Sequence, residues 1–506
     1  MQTQHYIAGT WRESLQRGRI AIHNPSDETL IAEVAFGDAS DVDAAVAAAA
    51  AAQPAWFAAG GARRGAALRR IAEGVRAGED ALVRLQSLNN GKPLAEARLD
   101  VADVIACFEY YAGLAEAGDR EGDAAVPLPD PNFEARVRRE PYGVVGLIVP
   151  WNFPMVTTAW KVAPALAAGN AVVLKPSEVT PLPELAFAQV VHEAGLPSGV
   201  FNLVVGDGAG VGAPLVAHPL VRKLSFTGSN PVGTRIMQSA AETIKGVSLE
   251  LGGKSALVVF DDADLDAACE LVLGGAFMNA GQMCSATSRV LLQAGIADAL
   301  TAKLVERARS MRVGDPMAEG TEVGPLASRA QLERVQRYLA VAEGEGLQRL
   351  CGGERVGSLG HFLQPTIYAD VPASSRLWRE EIFGPVMCLR RFKDEAEAIA
   401  LANDSDFGLV ATVVTKDAAR AARVADAIEA GLVWINMPQL IFPQTAWGGM
   451  KRSSIGRELG PWGMSAFQQL KHVVTPRGTD APTGPAAPAP RGGAQQPWDG
   501  PAPVAA

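Results

Sequence analysis

The stretch MNAGQMCSAT, residues 278–287, sets one thiol, Cys284, among small and polar residues. A cysteine so placed fills a gap, forms half of a disulfide, or acts as a nucleophile. A nucleophile needs a base and a group that holds negative charge. LELGGKS, Leu249 to Ser255, offers the base: Glu250 stands between two leucines, where burial would lift a carboxyl pKa toward neutrality. The bland alternative is a glutamate that ends a strand in solvent. PWNFP, Pro150 to Pro154, follows an apolar run. Asn152 there offers an amide N–H to a developing oxyanion, or else caps a proline-bounded turn.

Other polar residues also sit just past apolar runs. LKPSE, Leu174 to Glu178, carries a lysine and a glutamate three positions apart. They suit the hydroxyls of a ribose, or form a surface pair after a proline turn. GDGAGVG (206–212) and FTGSNPVG (226–233) are glycine-rich, which permits close phosphate approach. The usual dinucleotide fingerprint fails, because Val211 occupies the place of its third glycine. What stands is Gly228 and Gly233 with Ser229 at a helix start.

The five cysteines, Cys107, Cys269, Cys284, Cys351 and Cys388, are odd in number and scattered, with no Cys-x-x-Cys pair. That argues against zinc or a redox dithiol and for a reducing cytoplasm. It sets the disulfide reading of Cys284 aside. A chain of 506 residues exceeds one ordinary core, so two or three domains are expected. Apolar residues at 48% and charged residues at 20% are ordinary for a globular protein. The net charge of −9 comes without any basic block, so no nucleic-acid partner is expected. No secretory leader is visible, and no apolar run of about 18 residues appears, so no membrane span is expected.

The elements that must position these residues can be read from periodicity. HYIAGTWRE begins the chain as a hairpin or edge strand. Ser40 with Asp43 resembles a capping box. Residues 41–88 favour helix, with breaks near Pro54 and Gly60-Gly61, and NNGKP (89–93) ends them. A helix over 94–117 follows. From Gly143, short β-branched runs at 144–149, 170–175, 201–205 and 223–228 alternate with helical stretches at 181–194, 209–217 and 231–241. A second series begins at 256–260 and continues through 289–293 and 431–436. Buried apolar strands alternating with helices predict parallel, doubly wound sheets. The reading is two α/β domains joined near residue 250. The Pro, Ala and Gly tail from about Gly478 has the composition of disorder.

Taken together, PWNFP, WKVAPALAAGN, LKPSE, FTGS, LELGGKS, GQMCSATSR, EEIFGPV and GRELG resemble the NAD(P)-dependent aldehyde dehydrogenase superfamily, in order and spacing, from about residue 5 to 475. The resemblance implies an α/β fold of two doubly wound domains with a small β oligomerisation extension. Residues 1–118 and 141–250 would bind NAD, and 251–450 would form the catalytic domain. Residues 119–140 and 451–476 would form the extension, and 477–506 the tail. It implies Cys284 as nucleophile, Asn152 with the Cys284 N–H as oxyanion hole, Glu250 as the base for thioester hydrolysis, and Lys161 and Glu458 as proton relays. Lys175, Ser177 and Glu178 would hold the adenosine end of the cofactor. Trp151, Gly208, Gly228, Ser229 and Leu251 would complete its site, with Glu381 and Phe383 at the nicotinamide. A carboxylate at Glu178 repels a 2′-phosphate, which favours NAD. Glu250 argues for the free acid rather than an acyl-CoA as product.

GQMCSATSR, LWREEIFGPV and WGGMKRSSIGRELGPWG resemble the betaine-aldehyde and aminoaldehyde branch. There Phe153, Trp160 and Trp447 would box a cationic ω-amino group. Met278 stands where plant members carry a fourth aromatic, and Ile441 would crowd a trimethylammonium group. The expectation is primary ω-aminoaldehydes, against an aromatic-lined tunnel for apolar aldehydes. An inactive structural relative is disfavoured because Cys284 and Glu250 are both present. Asp103, Glu109 and Glu116 would supply acidic attraction at a tunnel mouth or read as solvated helix charges, and the second reading is favoured. The family implies a homodimer or homotetramer.

Overall fold

The computed structural model describes residues 1–16, 18–121 and 123–478; the expected tail lies outside them from residue 479. The N-terminal third is mostly helical. Its first helix, Ala39–Ala58, is capped two residues before the predicted capping box. Asp38 is the cap, and it accepts the Ser40 N–H at 2.8 Å while Asp41 accepts the Asp38 N–H at 3.2 Å. The box is therefore Asp38 with Asp41, because extended backbone at Asp38 lets a carboxylate reach the first free amides. Pro54 lies inside this helix without ending it. The breaks fall at Ala59 and Gly78, before the helices Gly60–Ala77 and Glu79–Asn90. Gly91 ends the third with a left-handed φ of 92°. The helix Leu94–Glu121 follows and packs heavily on Gly60–Ala77.

The first sheet has eight strands in the order Thr10–Arg12, His5–Ile7, Phe201–Leu203, Ala171–Lys175, Val144–Ile148, Val221–Thr227, Gly246–Glu250, Ser454–Ile455. Its five central strands are parallel. Winding runs one way from Val144–Ile148 through Ala171–Lys175, then reverses to Val221–Thr227. The crevice at such a reversal is where open α/β sheets bind ligands, outside the carboxyl ends of the strands. PWNFP and FTGS leave those two ends.

The chain passes from Glu250 into a second sheet at Ala256. Its seven strands run Gln348–Cys351, Thr366–Ala369, Val386–Phe392, Arg289–Gln293, Ala256–Val259, Val410–Val414, Leu432–Ile435. All are parallel but the first. The central strands are buried throughout, which explains their unbroken apolar runs. Ser454–Ile455, assigned from sequence to the extension, instead closes the first sheet against Gly246–Glu250. A two-residue run carries no periodicity, and the open strand edge supplies the partner. A third sheet pairs Gln468–Pro476 with Phe133–Pro141 over nine residues and adds Ala124–Val126. Among the described residues no helix is long and apolar enough to cross a membrane.

Candidate active site

Cys284 follows the helix Leu265–Phe277 and a short turn, Met278–Gly281. Asn152 follows the strand Val144–Ile148. The two are joined through backbone: Asn152 Nδ2 donates to the Gln282 carbonyl at 2.8 Å. An amide carries two N–H groups, so one remains for a ligand in the cavity that Asn152 and Cys284 both line. The proline-bounded turn is held from below. Asn90 donates to the Trp151 carbonyl at 2.9 Å, Thr180 to the same oxygen at 3.0 Å, and Asn279 to the Asn152 carbonyl at 3.0 Å. Asn152 is thus buried and fixed.

Cys284 is half-buried. Burial, then the charges of Glu381 and Glu250, pushes its thiol up to about 12. Glu250 is 3% exposed. Burial, then the charge of Glu458, holds its carboxyl well above the usual range, and Lys161 pulls the other way. Gly448, at φ 140°, passes so close that a Cβ there would lie 2.8 Å from Glu250 Oε1. Lys161 and Glu458 form a buried ion pair. Lys161 also donates to Thr227 at 2.7 Å, and Ser225 donates to Glu458 Oε1 at 3.2 Å. Both partners lie on one face of the strand Val221–Thr227. The sequence offered no sign of them, because a single serine or threonine in a strand is unremarkable.

One cavity of about 1190 Å³ gathers most of the expected site. Its wall holds Cys284, Asn152, Glu458, Trp151, Gly228, Ser229, Leu251, Glu381 and Phe383. It also holds Phe153, Trp160, Met278, Ile441 and Trp447. Glu250, Lys161, Lys175, Ser177, Glu178 and Gly208 lie outside its lining. Trp160 and Trp447 stand 5.3 Å apart between ring centroids. Asp103 is not a solvated charge, as the sequence suggested. It lines the cavity and accepts the Trp160 indole N–H at 2.7 Å, and burial lifts its carboxyl to about 7. Glu109 and Glu116 do face solvent, paired with Arg76 and Arg69. Helical spacing carried the missed signal: Glu96, Asp100 and Asp103 share a face.

The crevice side is built differently. Lys175 Nζ donates to Glu178 Oε2 at 3.2 Å and to the Pro176 carbonyl at 2.8 Å. A side chain on Gly208 would meet nothing within 4 Å, so a ligand can reach that backbone. Ser177 Oγ accepts the Val179 N–H at 3.2 Å, which shapes the turn carrying Glu178. Glu381 Oε1 accepts the Gly253 N–H at 3.1 Å, and burial lifts its carboxyl to about 7. A Cβ on Gly252 would lie 2.3 Å from Glu381 Oε2, so any larger residue there would displace the Glu381 carboxyl. Phe383 is left-handed at φ 65° and meets Trp151 edge to face at 5.2 Å. Strain of this kind gathers at functional sites.

The profile of the aldehyde dehydrogenase family matches residues 11–473. The chain belongs to that family. It is therefore an oxidoreductase acting on aldehydes. It is 46% identical over 479 residues to a chloroplastic betaine aldehyde dehydrogenase of Beta vulgaris, covering 93% of this chain and 96% of that one. It is 47% identical over 478 residues to a chloroplastic aminoaldehyde dehydrogenase of Arabidopsis thaliana, covering 93% and 95%. A solved betaine aldehyde dehydrogenase of Staphylococcus aureus, in complex with NAD+, superposes with a TM-score of 0.92 at 39% identity, covering 94% and 95%. Aldehyde dehydrogenase membership agrees with the two parallel sheets and with a thiol and an amide sharing one cavity.

Proposed function

We propose that this aldehyde dehydrogenase oxidises primary ω-aminoaldehydes to the carboxylic acids, with NAD. The observation that carries the reading is an acid built into an aromatic wall. Asp103 holds the Trp160 indole, and Trp160 packs on Trp447 in the cavity that contains Cys284. An ammonium group is drawn by both the carboxyl and the ring faces; an apolar aldehyde gains nothing from Asp103. Ile441 lines the same cavity, and a branched side chain there disfavours three methyl groups over three hydrogens. The relatives named for aminoaldehydes and betaine aldehyde support the branch. The second reading, broad oxidation of apolar aldehydes, draws on Met278, Leu440 and Phe442 in the lining.

The residues of the crevice fit a dinucleotide. Lys175, Ser177, Glu178 and the open backbone at Gly208 would hold its adenosine end; Trp151, Gly228, Ser229, Leu251, Glu381 and Phe383 would hold its nicotinamide end. NAD, when bound, supplies the hydride acceptor. Cys284 gives its thiol proton to water as its sulfur attacks the aldehyde carbonyl and forms a thiohemiacetal oxyanion. The free Asn152 N–H and the Cys284 backbone N–H hold the oxyanion. Loss of hydride leaves a thioester on Cys284. Glu250 takes a proton from water, which attacks the thioester and releases the acid and the thiol. Burial strengthens the hold of the Glu250 carboxyl on a proton, and the neighbouring Glu458 and Lys161 pair supports its transfer away. Five free thiols suit a reducing cytoplasm, and the third sheet suits a homodimer or homotetramer.

The test is a kcat/KM panel of aminobutyraldehyde, betaine aldehyde, hexanal and benzaldehyde, with NAD and NADP. Aminobutyraldehyde should lead hexanal by about tenfold, the worth of about 1.4 kcal/mol of cation recognition. Equal values for hexanal would sink the aminoaldehyde reading. Equal turnover with NADP would sink the role of Glu178.

A further inference from the structure

The backbone is left-handed at three consecutive residues before the thiol: Asn279 (φ 50°), Ala280 (φ 52°) and Gly281 (φ 70°). At Gly281 there is no room for anything else, since a Cβ would fall 2.2 Å from the Gly384 carbonyl oxygen. Asparagine tolerates this region, but alanine is strained in it. Such a run persists only where its surroundings hold it. Some of the holding is local and some reaches across the chain. Gln282 Nε2 donates to the Asn279 carbonyl at 2.9 Å, and Gln282 Oε1 accepts the Ala327 N–H at 2.9 Å. Asn279 Nδ2 donates to the Asn152 carbonyl at 3.0 Å, and Asn152 returns a bond to the Gln282 carbonyl at 2.8 Å.

A further tie comes from the helical first third of the chain. Glu96, in the first turn of the helix Leu94–Glu121, accepts the Asn279 backbone N–H through Oε2 at 2.9 Å. Its side chain also lines the cavity. The charged groups acting on it are Lys92 and Asp100. Those two are themselves paired at 2.5 Å, with the Lys92 ammonium 3.9 Å over the Phe153 ring centroid. Glu96 therefore reaches from a helix of the first half of the chain to the strained turn of the second half. Asn279 links the turn that carries Asn152 to the turn that carries Cys284.

We propose that Glu96 is a positioning residue for acyl transfer, anchoring the strained turn so that Cys284 and the Asn152 amide face one carbonyl. The proposal deepens the covalent mechanism above and rests on it. The test compares E96L, which removes the acceptor, with E96Q, which keeps an acceptor oxygen without charge. The readout is the burst of p-nitrophenolate from p-nitrophenyl acetate. In that step the sulfur displaces p-nitrophenolate and keeps the acetyl group, so neither cofactor nor aldehyde is needed. E96L should slow the burst by about tenfold or more, as expected for a small misplacement of reacting groups. E96Q should restore it to within about threefold, with melting temperatures alike. A native burst in E96L overturns the proposal. So does an equal loss in both variants, which would show that the charge, not the tie, matters. Should E96L not fold, E96D keeps the charge but shortens the reach by one methylene. It should then slow the burst, and a native burst there overturns the proposal. A native chain that acylates yet oxidises no aldehyde of the panel would end the functional reading and leave this comparison intact.

Discussion

At the scale of single residues, the nucleophile rests in its uncharged form. A thiol near 12 is almost wholly protonated at neutral pH. Its reactive thiolate fraction should therefore climb about tenfold per pH unit, with no plateau between pH 7 and 9. Iodoacetamide alkylation of Cys284, followed against pH, measures this; an early plateau would contradict a burial-dominated thiol. Glu381 exerts the largest charge on the sulfur after burial itself. Removing a nearby anion favours the thiolate, so Glu381→Gln should speed alkylation several-fold at pH 8. The apolar neighbours of Glu250 announced a buried carboxyl, and the structure has one. The added charge of Glu458 was not legible, because 208 residues of chain separate two groups that only folding brings together.

At the scale of elements, strands were read more securely than helix starts. A buried parallel strand writes itself as an unbroken apolar run. A helix cap depends on one side chain reaching one amide, and Asp38 took that place from Ser40. The helix Leu182–Glu193 holds a further consequence. Glu184 in its first turn is fully buried, and burial holds its carboxyl well above the usual range. Neither oxygen meets another residue's donor. A raised folded pKa means stability is complete below the unfolded value, about 4.3, and declines as pH rises beyond it. Glu184→Gln cannot ionise. Its melting temperature should gain on the native chain by about 2–4 °C between pH 5 and pH 9. Parallel melting curves across that range would show that the carboxyl never feels the rising pH.

At the scale of the whole molecule, the third sheet stands out as unfinished. Gln468–Pro476 is its edge strand, pairing on one side with Phe133–Pro141. Leu470 is 69% exposed and Val474 58%, both on one face of the strand. A nine-residue edge strand with two exposed apolar side chains on one face favours pairing with another chain. We expect a second copy to cover it. A Leu470→Asp, Val474→Asp double variant should then fall toward the monomer mass of 53.0 kDa in light scattering. An unchanged assembly mass would move the interface elsewhere.

The residues at 150–154, 249–255 and 278–287 determined, by type alone, that an amide, a carboxyl and a thiol were available. Alternating apolar runs determined that parallel sheets would carry them. Both are local properties, since hydrophobic periodicity and side-chain chemistry are written within a few residues of each other. Tertiary structure alone decided which groups meet. It placed Asp103 against Trp160 rather than in water, closed the first sheet with Ser454–Ile455, and tied the strained turn at Asn279 to Glu96. Each of these joins segments distant in the chain. Burial and long-range contact set their electrostatics, and neither is encoded within any short window of sequence.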